Sequence, residues 1–285
     1  SQAASEMQEA ARAAVAYLET TAAQLESAAK QYDEANSAFL RHASVQEFEA
    51  EPAKAGLKRF MEAVQERFQV QLDLLTESRF ETAVFRRILV EDLMAPGELR
   101  AFMEQLFSGY RSQLYAGWQE LAERHGITWP RSLPDSEIQV ESLVGEFLKP
   151  IQLFYERPGV LMGVLRSLGR GKFQEKLSAE VTEGLDNFQR AFLSLVEREW
   201  RKTAERCQNM AFRALRDWFQ ATTGKDRDGC IGKADDCRAK ATSILAWLEH
   251  FENLGVTSTL LSWRQEVHTM AMSRLVNRLH AEGYH

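Results

Sequence analysis

Lys172-Phe173-Gln174-Glu175-Lys176-Leu177-Ser178-Ala179-Glu180-Val181-Thr182-Glu183-Gly184-Leu185, continuing without a proline to Trp218-Phe219-Gln220-Ala221, is the stretch that decides the fold. Its apolar positions are Phe173, Leu177, Val181, Leu185, Phe188, Phe192, Leu195, Cys207, Met210, Ala214, Leu215, Trp218 and Phe219. They recur mostly in steps of three, four and seven, the spacing that gathers side chains on one face of a helix. At 1.5 Å per residue, a helix of roughly 50 residues extends about 75 Å. The reading is therefore an all-α chain, an elongated antiparallel bundle of long, coiled-coil-like helices.

All six prolines lie between Pro52 and Pro158, so both flanks are free to be helical. From Ala3 to Arg41, residues Met7, Ala11, Ala14, Leu18, Thr21, Leu25, Ala28, Tyr32, Ala35 and Phe39 alternate in steps of four and three. That is a heptad seam, and its alanines require a closely approaching partner helix. Ser44-Val45-Gln46-Glu47 has the form of a capping box and Pro52 suits a first helical turn. Leu57, Met61, Val64, Phe68, Leu72 and Leu75 mark the next helix, with a continuation through Phe80 and Ile88 to Met94. Pro96 opens another, striped by Leu99, Phe102, Leu106, Tyr110, Leu114 and Leu121, and Gly126 suits its C-terminal end. Residues 126–135 form a two-proline linker whose Trp129 either wedges against the helices or stands exposed; the wedge is preferred. A short helix follows to Lys149, since the alternation at Ile138, Val140 and Val144 has no second strand to pair with. Gly169-Arg170-Gly171 reads as a turn, residues 222–229 as a loop, and 233–254 and 257–282 as two final helices. The expected organisation is a long-helix segment 1–125, a Pro/Gly-rich connector 126–171, and a long helix with a helical pair 172–285, packed as one bundle.

Composition narrows the function. The 285 residues suffice for a packed core without disulfides, and charged residues of both signs make up 27% of the chain, which fits neither a disordered segment nor a membrane span. The longest apolar run is only Val160-Leu161-Met162-Gly163-Val164-Leu165. A net charge of −6 argues against a general nucleic-acid binder. Three cysteines and no visible signal sequence point to reduced thiols in a cytoplasm, with a Cys230–Cys237 bridge as the alternative. The opening Ser1-Gln2-Ala3-Ala4 reads as a processed or cloned piece of a longer protein.

No catalytic, cofactor or metal constellation stands out. Gly169-Arg170-Gly171-Lys172 has the ending of a phosphate loop, but Phe173 replaces the Ser or Thr that touches the metal. Asp226, Asp228, Asp235 and Asp236 crowd together without calcium-loop spacing, and Lys225, Arg227, Lys233 and Arg238 interleave them. The six histidines are scattered. A non-catalytic interaction or mechanical role is expected.

Two surfaces carry the functional reading. Within 157–176, Val160, Leu161, Met162, Val164 and Leu165 are flanked by Arg157, Arg166, Arg170, Lys172 and Lys176, with Glu175 the lone acid. Apolar groups inside a basic collar suit an anionic lipid surface, so Val160, Leu161, Met162, Val164, Leu165, Arg166, Arg170 and Lys172 are the candidate membrane contacts. The competing reading is a short buried helix. The second surface is the seam at Leu18, Leu25, Tyr32 and Phe39, which serves either a partner protein, self-association or packing inside the chain. A small-molecule sensor with its pocket inside the bundle is a third reading.

Phe154-Tyr155-Glu156-Arg157-Pro158, leading into Gly169-Arg170-Gly171-Lys172-Phe173 and then a long helix with Glu180, Glu183, Phe188 and Trp200, resembles the helical stalk of bacterial dynamin-like proteins. The resemblance spans about residues 40–220. It implies a stalk that transmits motion from a GTPase head and touches membrane. No Walker lysine with its Ser or Thr is present, so it implies a stalk without that head and carries over no catalytic residue. The expected location is the cytoplasm, at or near a membrane surface.

Overall fold

The computed structural model of the chain describes residues 2–129, 140–155, 164, 167–253 and 261–281. Most of these residues are helical, and no strand occurs among them. The helices are α1 (Gln2–Ser44), α2 (Glu51–Glu77), α3 (Thr82–Arg87), α4 (Pro96–Arg124), α5 (Val140–Ile151), α6 (Arg170–Thr223), α7 (Arg227–Asn253) and α8 (Leu261–Ala281). Short 3₁₀ turns occupy Ser78–Phe80 and Gln152–Phe154, and a π-helical turn occupies Ile88–Leu93. The deciding stretch is one helix of 54 residues.

The chain forms two compact units. One combines Ser1–Ala38 with Leu215–His285; the other is Phe39–Ala214. Both boundaries fall inside a continuous helix, α1 and α6, and neither falls in the connector 126–171.

In the 39–214 unit, α2, α4, α5 and most of α6 enclose an aromatic core. Phe102 stacks on Phe192 with centroids 5.5 Å apart and planes 7° from parallel, and Phe60 lies 5.6 Å from Phe188. Offset pairs of this kind add to simple area burial. Phe39, fully buried, meets Trp118 edge-on at 5.7 Å and Phe212 at 6.0 Å. Trp129 is a wedge: it is buried, with its ring 5.7 Å from Tyr115. Gly126 takes φ 68°, the left-handed conformation that a helix end favours and a side chain resists. At Gly184, a Cβ would drive into the carbonyl oxygen of Phe147, so this glycine lets α5 and α6 approach backbone to side.

In the other unit, Val15, Leu18 and Ala22 of α1 interlock with Ala234, Cys237 and Ala241 of α7, with Leu25 and Ile244 packed on the edge. Small residues on α7 allow the close approach that the alanine-rich seam requires. Tyr32 rests on Phe219 of α6 at 4.9 Å. Arg227 forks onto Asp33 through Nε and Nη2, both at 2.8 Å, and Arg238 pairs with Glu26 at 2.6 Å.

Several local expectations are corrected. Ser44 does not cap α2; it ends α1, its hydroxyl donating to the Arg41 carbonyl at 2.8 Å, and Ala50 precedes α2 without a side-chain cap. Pro52 does sit in the first turn of α2, and Pro96 in that of α4. α2 does not continue to Met94. The Thr76 and Ser78 hydroxyls donate back to the Leu72 and Leu74 carbonyls, and Glu81 then turns extended at φ −110°, ψ 82°. Hydroxyls that compete for helix carbonyls weaken the last turn. Gly169-Arg170-Gly171 is not a free turn, because α6 begins at Arg170. The loop expected over 222–229 is shorter: Asp226 caps α7, accepting the Gly229 amide at 2.8 Å. Its acidic neighbours are also engaged, Asp228 with Arg227 at 3.0 Å and Asp236 with Lys240 at 2.8 Å.

All three cysteines are free and buried. Cys230 and Cys237 stand seven residues apart on α7, about 10 Å along the axis, too far for a disulfide. Burial pushes the Cys207 thiol up to about 11.

Candidate functional site

The end of α2, the turn after it, α3, the end of α5 and the start of α6 converge at one place in the 39–214 unit. Its floor is aromatic. Phe85, Phe154 and Phe173 are buried, with Phe154 and Phe173 edge-on at 5.4 Å and Phe85 stacked on Phe154 at 6.2 Å. Phe173, the residue that breaks the phosphate-loop pattern, is therefore core. Arg79 lies between rings, its guanidinium 4.8 Å from the Phe80 centroid and 5.8 Å from that of Phe173. It also donates to the Thr76 carbonyl at 3.1 Å. Arg86 sits 6.0 Å from the Tyr155 ring. Such contacts hold a cation beside apolar surface without burying it fully.

Around this floor the surface is apolar and basic together. Phe80 is 59% exposed, Leu74 46% and Val70 79%. Val70 and Leu74 share one face of α2, four residues apart. The exposed cations are Arg86, Arg87, Arg170 and Lys172. Arg170 ties α6 to α2 through Asp73, donating at 2.6 Å, and Gln174 donates to the same carboxylate oxygen at 3.1 Å. The Arg170 guanidinium holds the Asp73 carboxyl below its usual range. Glu77 and Glu81, both exposed, moderate the positive charge.

Of the candidate membrane contacts, Val164, Arg170 and Lys172 are exposed, with Arg170 engaged by Asp73. Val160, Leu161, Met162, Leu165 and Arg166 lie outside the described residues. The sequence reading does not place Val70, Leu74 or Phe80 on a contact surface. Val70 was detectable as an apolar residue off the Leu57–Leu75 stripe, whereas Phe80 was counted as its continuation.

The seam candidates are used within the chain. Leu18 is fully covered by α7, Leu25 is partly covered beside it, Tyr32 packs on Phe219, and Phe39 is enclosed by Trp118 and Phe212.

Among the described residues, no helix is long and apolar enough to cross a membrane, and no cluster of three His, Cys, Asp or Glu has metal-site geometry. No family model, curated protein or solved structure matches the chain. The class that fold and site define is an all-α helical protein with an apolar and basic surface region among its described residues.

Proposed function

We propose that the chain is a non-catalytic helical module that contacts an anionic membrane surface through the end of the 39–214 unit, in the manner of the stalk of a dynamin-like protein. The observation that carries this reading is the group of exposed apolar side chains, Phe80, Leu74 and Val70, with Arg79, Arg86, Arg87, Arg170 and Lys172 on the same and adjoining elements, and Val164 also exposed. Apolar residues contribute by entering the headgroup boundary, and each cation near an anionic leaflet is worth about 1 kcal/mol. Arg170 and Phe173, from the basic and apolar run 157–176 of the sequence, belong to this end.

Sedimentation with phosphatidylglycerol-containing liposomes tests the reading. The chain pellets with anionic vesicles and stays in the supernatant with neutral ones, and Phe80→Glu combined with Val164→Glu releases it. Pelleting that is unchanged by those substitutions removes the proposal. The two positions are more than half exposed, so the fold tolerates the change.

A further inference from the structure

A cleft between α2 and α4, within the 39–214 unit, carries an inference independent of the membrane reading. The two helices run antiparallel: Tyr110 donates to the Glu49 carbonyl at 2.7 Å at one end, and Arg67 pairs with Glu98 at the other. The cleft along them measures about 660 Å³, within the range of sites for small ligands, and every residue that lines it is described. Phe60, Phe102 and Leu106 supply its apolar surface. Phe102 belongs to a run of near-parallel rings, its plane 11° from that of Phe60 and 7° from that of Phe192.

Two glycines line the cleft, for different reasons. At Gly56 a Cβ would stand 2.5 Å from the Phe102 ring, so packing explains that glycine. At Gly109, midway along α4, a Cβ would meet nothing within 4 Å. Glycine weakens a helix interior, and no packing contact requires it here. Its effect is to leave the cleft wall open. Gln105 and Gln113 stand one turn to either side of Gly109 on the same face of α4, about 12 Å apart along the axis. Among the described residues, neither carboxamide has a hydrogen-bond partner, and Arg59 on the α2 wall has no ion-pair partner. Glu98 is the acid in the lining, and Arg67 already neutralises it. Glu62, one turn from Arg59, pairs with Lys58 at 3.9 Å.

Flat apolar surface, an open gap and one uncommitted cation suit a planar aromatic anion. Rings laid against Phe60 and Phe102 gain offset stacking in addition to burial, which an aliphatic chain lacks. A guanidinium holds a carboxylate through paired N–H donors. Each carboxamide offers both a donor and an acceptor. We propose that this cleft binds a three-ring aromatic carboxylate, with its rings against Phe60 and Phe102 beside Gly109 and its carboxylate on Arg59.

Fluorescence anisotropy tests the proposal on the full chain, with 2-anthracenecarboxylate as the probe and 2-anthracenecarboxamide as its neutral match. The expected result is saturable binding of the acid at one site per chain, with the amide at least fivefold weaker. Arg59→Gln lowers the affinity for the acid to that for the amide and leaves the amide unchanged. Gly109→Leu fills the gap and abolishes saturable binding of both, while circular dichroism shows the helices retained, because the added side chain starts in open space. Undecanoate, the aliphatic match, does not displace the probe at tenfold excess. Phe80→Glu, on the proposed membrane surface, changes nothing, so failure of that reading and failure of this one are read apart. No saturable binding, binding that survives Gly109→Leu, equal affinity for acid and amide, or displacement by undecanoate overturns the proposal. Loss of binding in Phe80→Glu overturns it as well, since the probe would then sit outside the cleft.

Discussion

Gly184 shows how much of this fold depends on one missing methyl group. Any side chain there meets the Phe147 backbone oxygen, which cannot rotate away as a side chain does. Gly184→Ala gains roughly 1 kcal/mol of helix propensity. It loses more to overpacking, which costs about 1–3 kcal/mol and lies at the upper end when backbone must move. Net destabilisation is expected as a lower urea midpoint at unchanged slope, and a midpoint equal to or above that of the parent would contradict the close approach. A second residue-scale consequence concerns protons. His42 is part-buried, edge-on to Trp118 at 4.6 Å, with Gln46 at 3.0 Å, and burial lowers its affinity for a proton. The unfolded chain takes up that proton near pH 6.5, where the native state still refuses it. Stability therefore declines as pH falls below about 6.5 and stops declining through this group once the native pKa is passed. Melting curves between pH 7.5 and 5 should show a slope that His42→Gln flattens, and an unaltered slope would assign the effect elsewhere.

At the scale of elements, two long helices obey different repeats. Along α1 the buried or part-buried line is Met7, Ala11, Val15, Leu18, Ala22, Leu25, Ala29, Tyr32, Ala35 and Phe39, which averages about 3.6 residues per step, close to a heptad seam. Along α6 the buried line is Phe173, Leu177, Val181, Leu185, Phe188, Phe192, Val196, Trp200, Thr203, Cys207, Ala211, Leu215 and Phe219. Twelve steps over 46 residues average about 3.8, so at 100° per residue the covered face turns roughly 280° around the helix. A fixed coiled-coil stripe does not do this. The existence of both helices was legible because periodicity and the absence of proline are local properties. The direction of the covered face was less so: Leu195, Met210 and Ala214 were expected in the stripe, and Val196 and Ala211 occupy the buried line. The interruption at Ser78–Glu81 escaped notice for a related reason, since Phe80, Val84 and Ile88 keep helical spacing across a break made by hydroxyl and backbone bonds. The π turn at Ile88–Leu93 leaves Ala95 at φ 41°, with Arg67 donating to the Leu93 carbonyl at 3.2 Å and pairing with Glu98, links that depend on tertiary neighbours. The start of α7 is more local. Asp226 supplies its cap, so Asp226→Ala should lower stability by about 1 kcal/mol. Hydrogen exchange ought to accelerate first at the amides of Gly229 and Cys230, and equal protection in the variant would rule out the cap.

At the scale of the whole molecule, the proposed membrane surface must act against the net charge of −6. An anionic vesicle repels most of the chain and attracts the region around Arg79, Arg86, Arg87, Arg170 and Lys172. Half of this charge pattern was legible from the basic run 157–176, while Arg79, Arg86 and Arg87 lie about 70 to 90 residues earlier and join it only through the fold. Because those cations are at the surface, their attraction is screened over about 10 Å at 0.1 M salt and about 3 Å at 1 M. The apolar contribution from Phe80 and Leu74 is not screened. The two parts are thus separable by salt. Raising sodium chloride from 50 to 500 mM should reduce pelleting with phosphatidylglycerol vesicles severalfold without abolishing it. Arg86→Glu with Arg87→Glu should mimic the high-salt value and remove most of the remaining salt dependence. Phe80→Glu should abolish binding at every salt concentration. Pelleting that is indifferent to salt would assign the interaction to apolar burial alone, and complete loss by 500 mM in the parent would mean that Phe80 and Leu74 do not enter the lipid.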